Sequence, residues 1–95
     1  MTQYRLMYLD TALEDMSDIK AYLDLNSETA WSKLVISMKK QMDNLKKFPY
    51  MGERYKKYRR LVCGDYLVFF KVNDDKKTVE VYHVLHCSRN IKKYL

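Results

Sequence analysis

The 95-residue sequence contains little that would place it outside the ordinary folded proteins. Two glycines and one proline are too few for a disordered or fibrous chain, and hydrophobic residues make up 47% of the total. No run approaches the ~20 apolar residues that a membrane span needs. Asp10, Glu14 and Asp15 interrupt any apolar N-terminal segment that would act as a signal peptide. We therefore expect one soluble, cytoplasmic domain over residues 1–95, with no membrane partner.

Cysteine and glycine are also too sparse for several kinds of site. Cys63 and Cys87 lie far apart and lack the paired spacing of zinc ligands, so we expect neither a metal site nor a cofactor. Both cysteines fall near the ends of predicted strands, which favours buried, reduced thiols. No glycine-rich phosphate-binding loop is present.

Charge is what the sequence has in excess. Eighteen Lys and Arg against twelve Asp and Glu give a net charge of +6. This balance fits an anionic partner, either nucleic acid or an acidic protein segment, and it equally fits a solvated basic surface.

The N-terminal part predicts a strand followed by a helix. Gln3–Leu9 is rich in Tyr and Leu, and Thr11 with Glu14 forms a capping-box pattern that starts a helix. The helix runs to about Leu25 with Asp15 on its outer face. Its apolar residues recur at steps of three and four: Ala12, Met16, Ile19 and Leu23.

A second helix follows after a very short break. Ser27 is the predicted N-cap, and Pro49 ends the helix because proline cannot extend it. Its predicted apolar stripe contains Trp31, Val35, Met38, Met42 and Leu45. So short a connection makes the two helices an antiparallel hairpin.

The last third predicts three strands. A loop at Tyr50–Lys57 precedes Leu61–Cys63 and Tyr66–Val72, which a Gly64-Asp65 turn of type II′ joins as an antiparallel hairpin. The final strand is Thr78–His86, and its core face should contain Val79, Val81, His83 and Leu85. The order β-α-α-β-β-β predicts an α+β fold, with a helical hairpin packed on a small curved, mainly antiparallel sheet.

A basic run interleaved with tyrosines is the first candidate site. Its cations are Arg54, Lys56, Lys57, Arg59 and Arg60. Cations of this kind neutralise phosphates, and tyrosine rings stack on unpaired bases. The alternative is a solvated loop entering an edge strand, where Lys and Arg prevent aggregation.

The C-terminal segment is the second candidate site, with His86, Arg89, Lys92, Lys93 and Tyr94. Cleavage of RNA without a metal needs a base, a cation for the phosphorane and an acid for the departing oxygen, and these residue types can fill those roles. The alternation of the last strand places His86 on the face away from the core, whereas His83 is predicted to be a hydrogen-bonded core histidine.

These segments carry a family resemblance. Residues Tyr58–Val72, Val79–Val84 and Leu85–Asn90 resemble the RelE/ParE superfamily of bacterial toxins from type II toxin–antitoxin modules. The resemblance implies a small basic toxin held inactive by a cognate antitoxin protein. His86 and Arg89 match the family's His and Arg positions, and Tyr94 is similar to a C-terminal tyrosine of some nuclease members.

The resemblance leaves two targets open. RelE-like members cleave messenger RNA on the ribosome, which would make this chain a metal-independent endoribonuclease. ParE-like members inhibit DNA gyrase without catalysis. The basic run, His86, Arg89 and Tyr94 favour the ribosome and mRNA. Leu67 favours gyrase, because RNA-cleaving members tend to have arginine there, and Asn90 replaces the acidic residue usual in the family.

Overall fold

The computed structural model of the chain describes residues 3–89 and 91–95. Asn90, the predicted replacement for an acidic residue, lies outside the described residues. In chain order the elements are β1 (Arg5–Tyr8), α1 (Asp10–Asn26), α2 (Ala30–Lys47), β2 (Glu53–Tyr55), β3 (Tyr58–Cys63), β4 (Tyr66–Asn73), β5 (Thr78–His86) and a short 3-10 turn (Ile91–Lys93).

The five strands form one mixed sheet in the order β1-β5-β4-β3-β2. β1 is parallel to β5, and the other neighbours are antiparallel. The helical hairpin packs on one face, called here the helix face; the opposite face is the far face. The predicted α+β fold is therefore confirmed.

Apolar side chains from both helices and from alternate strand positions form the main core on the helix face. Its fully buried members include Ala12, Met38, Met42, Leu45, Val68, Phe70, Val79, Val81 and Val84. A smaller cluster covers part of the far face and contains Leu67, Phe69 and Leu85, with Tyr55, Tyr58, Ile91 and Leu95 against it. The alternation of side chains along β4 explains this division, since odd and even positions point to opposite faces.

Both predicted helix caps are wrong. α1 begins at Asp10, and the hydroxyl of Thr11 donates to the carbonyl of Tyr82 instead of capping the helix. β1 ends at Tyr8, so the outer edge of β5 has free backbone groups beyond that point, and Thr11 satisfies one of them. α2 begins at Ala30, so Ser27 is not its N-cap.

The buried stripe of α2 differs by one position from the prediction. Leu34 is buried, whereas Val35 is 38% exposed. Trp31 packs only at the edge of the core. Both Leu34 and Val35 fit the helical period from Trp31 to Met38, and the packing of α2 on the sheet selects Leu34.

The predicted loop before β3 contains a strand. β2 pairs with β3, so that Glu53 lies opposite Arg60 and Tyr55 opposite Tyr58. Gly52 has a φ of +92°, and a Cβ there would lie 2.5 Å from the carbonyl oxygen of Arg60. Glycine is therefore required by close backbone approach, a constraint that the sequence pattern does not reveal.

A β-bulge in β5 reverses the predicted alternation. Phe70 pairs with Val81 and Phe69 with His83, which leaves Tyr82 as the extra residue. Before the bulge Val79 and Val81 lie on the helix face, as predicted. After the bulge, the side chains of β5 point to the faces opposite to those predicted.

Two predicted orientations are wrong as a result. Leu85 packs in the far-face cluster, and Val84 takes the core position. His86 turns toward the helix face, where its ring packs edge-on against Tyr66 with the ring centroids 5.1 Å apart. His86 therefore lies on the helix face, not on the opposite face as predicted.

Neither helix within the described residues is long and apolar enough to cross a membrane.

Candidate functional site

A groove of about 430 Å³ lies where β5 ends. Helix α1 forms one wall, and the C-terminal segment forms another. We call it the His86 groove; its lining residues are Asp15, Asp18, Ile19, Tyr22, Tyr66, Val84, Leu85, His86, Ser88, Arg89 and Tyr94. The groove thus brings together the three predicted catalytic residues, His86, Arg89 and Tyr94.

Ser88 holds the imidazole of His86 at Nδ1. The backbone N–H of Ser88 donates to Nδ1 at 3.1 Å, so a neutral ring accepts at Nδ1 and carries its hydrogen on Nε2. The Ser88 Oγ lies 2.7 Å from the same nitrogen and can accept from it when the ring is charged. Ser88 therefore offers a hydrogen-bond partner to both the neutral and the charged ring.

Arg89 and Tyr94 form a hydrogen-bonded pair across the C-terminal turn. Nη1 of Arg89 donates to the Tyr94 hydroxyl oxygen at 2.7 Å. The Arg89 backbone N–H donates to the His86 carbonyl at 2.9 Å, which ties this turn to the end of β5. Because the phenol oxygen accepts from Arg89, its own hydrogen is available to a ligand.

Two carboxylates from α1 give the groove an acidic side. Oδ2 of Asp15 accepts the Val84 backbone N–H at 3.0 Å and lies 2.9 Å from Nδ1 of His83. The side chain of Asp15 is only 21% exposed, so its predicted outward position is wrong. Beyond the end of β1 the edge of β5 needs an acceptor, and Asp15 supplies it. His83 is hydrogen-bonded, as predicted, but it is only half-buried and does not belong to the buried core.

The sequence analysis missed Asp15 and Asp18 as groove residues. Their spacing of three positions places both on one side of α1, which was a usable signal. Only the edge position of β5 shows which side of the helix meets the groove.

A second depression lies at the other end of the sheet. It has a volume of about 340 Å³ and is lined by Tyr50, Arg54, Lys56, Lys57, Tyr58, Arg59, Phe70, Lys71 and Val72. Five of these residues are cations and none is acidic; we call it the cationic cleft. It brings together four of the predicted binding residues. It also contains Lys71, which was not predicted because it lies inside β4, directly after five buried residues.

The remaining predicted cations lie outside the cationic cleft. Arg60 follows Arg59 in β3 and points to the opposite face, where it pairs with Glu53 at 3.0 Å. Arg59 instead donates to the Tyr50 carbonyl at 3.0 Å. Lys92 and Lys93 are exposed in the C-terminal turn and line neither depression.

The two depressions are too far apart to share one phosphate. Tyr66 at the start of β4 lines the His86 groove, and Lys71 near its end lines the cationic cleft. Five residues at ~3.3 Å each separate them by roughly 17 Å along the strand. A single small anion cannot contact both, whereas a polymer can.

Leu67 is part of the far-face cluster. It is 9% exposed and lies between Val62 and Leu85 in the ladder. Arg60 lies on the same face, but Glu53 neutralises it. The far face therefore has no free arginine at this position.

The two cysteines differ in exposure. Cys63 is buried, and burial raises the pKa of its thiol to about 11. Cys87 is exposed, so the prediction that both thiols are buried is wrong for it. It follows the last residue of β5, where the chain leaves the sheet. In the part of the chain that the structure describes, no three His, Cys, Asp or Glu side chains are grouped as metal ligands.

Sequence and structure comparisons agree on a class of proteins. Residues 6–91 match the family described as ParE toxin of type II toxin-antitoxin system, parDE. A search of curated proteins finds no match.

Three solved structures share the fold. The RelBE toxin–antitoxin complex of E. coli matches with a TM-score of 0.63 and 18% identity, over 90% of this chain and 99% of that chain. The RelBE2 complex of Mycobacterium tuberculosis gives 0.59 and 19%, with the same coverage. The RelE–RelB complex of Pyrococcus horikoshii gives 0.59 and 15%, over 93% and 99%.

Proposed function

The chain belongs to the ParE toxin family of type II toxin–antitoxin systems, and from the residues that line the His86 groove we propose that it arrests growth by cleaving messenger RNA on the ribosome, in the cytoplasm. The observation that carries the proposal is the convergence of His86, Arg89 and Tyr94 on one groove. A histidine, an arginine and a tyrosine on one groove supply the proton donors and the cation that cleavage of RNA without a metal needs.

The groove contains groups for each step of RNA cleavage. The Asp18 carboxylate takes the proton of the 2′-hydroxyl, and that oxygen forms a bond to phosphorus. Arg89 stabilises the charge that develops on the phosphorane. His86 gives a proton to the 5′-oxygen as its bond to phosphorus breaks. The products are a 2′,3′-cyclic phosphate and a 5′-hydroxyl, with Tyr94 hydrogen-bonded to Arg89 throughout.

The acidic side of the groove does not exclude a phosphate. In water, two unit charges 4 Å apart interact by only about 1 kcal/mol, so a carboxylate at that distance weakens phosphate binding without preventing it, and Arg89 acts in the opposite direction. Net affinity for RNA then comes from the cationic cleft, where five cations and no carboxylate line the surface.

A cognate antitoxin is the expected protein partner. The three solved structures named above are toxin–antitoxin complexes. We propose that an antitoxin segment covers the basic surface and blocks RNA. A pull-down with the product of the neighbouring small gene should recover a tight complex, and a non-toxic chain with no such partner would contradict this.

Gyrase inhibition is the second candidate, and both the match to the ParE family and Leu67 favour it. The position is apolar and buried where the resemblance to RNA-cleaving members leads one to expect a cation. Under this alternative the basic surface binds the gyrase protein and no bond is broken.

Two parallel assays separate the candidates. Primer extension on a message in a reconstituted translation system should show new breaks within codons that depend on the ribosome. Supercoiling by purified gyrase should continue at the same protein concentration. Intact messages together with blocked supercoiling would refute the proposed function.

A further inference from the structure

Two tyrosines and a lysine form a compact group on the far face of the sheet. The rings of Tyr58 in β3 and Tyr82 in β5 meet edge-to-face, with centroids 5.3 Å apart and planes at 65°. Nζ of Lys71 in β4 lies 5.1 Å from the first ring centroid and 4.9 Å from the second. Three neighbouring strands thus contribute one residue each.

The ammonium of Lys71 stays with the rings although a carboxylate is available. Glu80 lies directly opposite Lys71 in the ladder. Among the described residues, however, no ion pair joins them. An ammonium held over rings remains available to contact a phosphate, whereas one paired with Glu80 would already have an anionic partner.

The β-bulge creates this arrangement. Tyr82 is the extra residue of β5, with no partner across the ladder. Bulges are used near functional sites because they redirect a side chain. Tyr58, Lys71 and Tyr82 are all half-buried, so packing holds them while part of each stays accessible.

The group is continuous with the cationic cleft. Tyr58 and Lys71 line the cleft together with Lys57, whose Nζ lies 5.7 Å from the Tyr58 ring centroid. Tyr58 therefore has two lysines over its ring. Within residues 3–89 and 91–95 only Lys71 lies over Tyr82, which leaves Tyr82 the freer ring.

We propose that Tyr58, Tyr82 and Lys71 form a binding site for one unpaired nucleobase, whose neighbouring phosphates bind in the cationic cleft. The base stacks on Tyr82, and Lys71 contacts the adjoining phosphate. Rings beside cations fit single-stranded RNA better than an acidic peptide, because a peptide carboxylate gains nothing from a ring to stack on. The inference rests on the proposed function, for which it supplies a substrate-binding position.

Direct binding to the purified 95-residue chain tests the site. Fluorescence anisotropy would follow a labelled single-stranded RNA of about ten nucleotides, within the usual site size. Loss of one stacked base weakens binding roughly 5- to 150-fold, so Tyr82→Leu should fall in that range. Tyr82→Phe keeps the ring and should bind like the original chain. An oligomer of abasic nucleotides should bind weakly to both.

Several results would overturn the proposal. One is unchanged RNA affinity of a folded Tyr82→Leu chain; another is equal loss of affinity in Tyr82→Phe. Competition by a polyglutamate peptide that depends equally on Tyr82 would assign the site to an acidic protein instead. Single-stranded DNA that binds with the same dependence on Tyr82 would support the base site and show that it accepts bases of DNA as well as of RNA.

A second variant protects the test against misfolding. Should Tyr82→Leu melt at a lower temperature, Lys71→Gln should still weaken RNA binding and reduce the slope of log affinity against log salt by about 0.7. An unchanged slope would contradict the phosphate contact. No ribosome is present in these assays, so base-dependent binding by a chain that leaves translated messages intact would refute the proposed cleavage and not this site.

Discussion

The His86 groove and the cationic cleft lie at opposite ends of β4 and differ in almost every physical respect. The groove mixes carboxylates with a histidine and an arginine, and most of these groups have hydrogen-bond partners. The cleft has five cations and no acid. Mixed, hydrogen-bonded groups suit proton transfer, whereas uniform charge suits attraction of a polyanion. Under the proposed function, the two regions divide the work: RNA is cleaved in the His86 groove and bound in the cationic cleft.

The two regions also arise from different local structure. The groove depends on α1 standing at the edge of β5, where Thr11 and Asp15 replace a strand partner. The cleft depends on the tight β2–β3 hairpin, in which Lys56 has a φ of 53°. A substitution in one region should therefore leave the other intact, and this independence can be tested.

Arg89→Ala should give the largest effect. Loss of a group that stabilises transition-state charge lowers a rate by roughly 100- to 1,000-fold, so growth arrest should disappear. Arg89 is exposed, and the melting temperature should hardly change. Arg5→Ala removes the same charge from an exposed position in β1 and should remain toxic. A toxic Arg89→Ala chain would remove Arg89 from the site.

Asp15→Ala should have the next largest effect, a loss of stability. It leaves the Val84 N–H and the His83 ring without their acceptor, which costs about 1–3 kcal/mol. For a chain of this size each kcal/mol lowers the melting temperature by about 4–8 °C. The matched Asp18→Ala should melt normally and lose cleavage. Equal melting temperatures for the two variants would show that Asp15 does not hold the edge of β5.

Lys57→Ala should weaken RNA binding by a smaller factor. One lost phosphate contact reduces the slope of log affinity against log salt by about 0.7 for a single strand. Lys40→Ala on α2 is a control with the same charge change outside the cleft. A slope that changes equally in both variants would mean that only net charge matters.

The smallest effect concerns the Asp74 contacts beside the cationic cleft. Tyr50 and Tyr4 donate to the Asp74 carboxylate, which raises the pKa of Tyr50 from 10.0 to about 12 and lowers the pKa of Asp74 from its usual 3.8. Any stabilisation from Tyr50 is thus present below pH 10 and lost as the pH rises through about 12. That from Asp74 is present above pH 3.8 and lost on acidification. Ultraviolet titration should find one tyrosine ionising near pH 12, and Asp74→Asn should return it toward 10. An unchanged titration would contradict the contact.

Much of the fold follows from local sequence patterns. The helical hairpin, the Gly64-Asp65 turn and the limits of Thr78–His86 come from periodicity and turn chemistry, and the structure agrees with them. β2 was missed because three residues, Glu53–Tyr55, are too few to show an alternation. The cap of α1 was predicted wrongly because the Thr11 hydroxyl donates to a carbonyl of β5, a tertiary contact with no local signal in the sequence.

The candidate site was predictable in its residues and less so in its geometry. His86, Arg89 and Tyr94 stand close in sequence, and one groove contains them. The predicted face of His86 was wrong because one extra residue in β5, Tyr82, moves the later side chains of the strand to the opposite face. Asp18 and Lys71 come from other elements, and only the packed sheet brings them to the two depressions.

The most direct test measures cleavage of a ribosome-bound message over a range of chain concentrations, for His86→Gln and Lys57→Ala side by side. The separation of reaction from binding predicts that His86→Gln lowers the maximal rate roughly 100-fold or more at an unchanged half-saturating concentration. Lys57→Ala should raise the half-saturating concentration and keep the maximal rate. If both variants change the same parameter, or if the original chain leaves the message intact, the account is wrong.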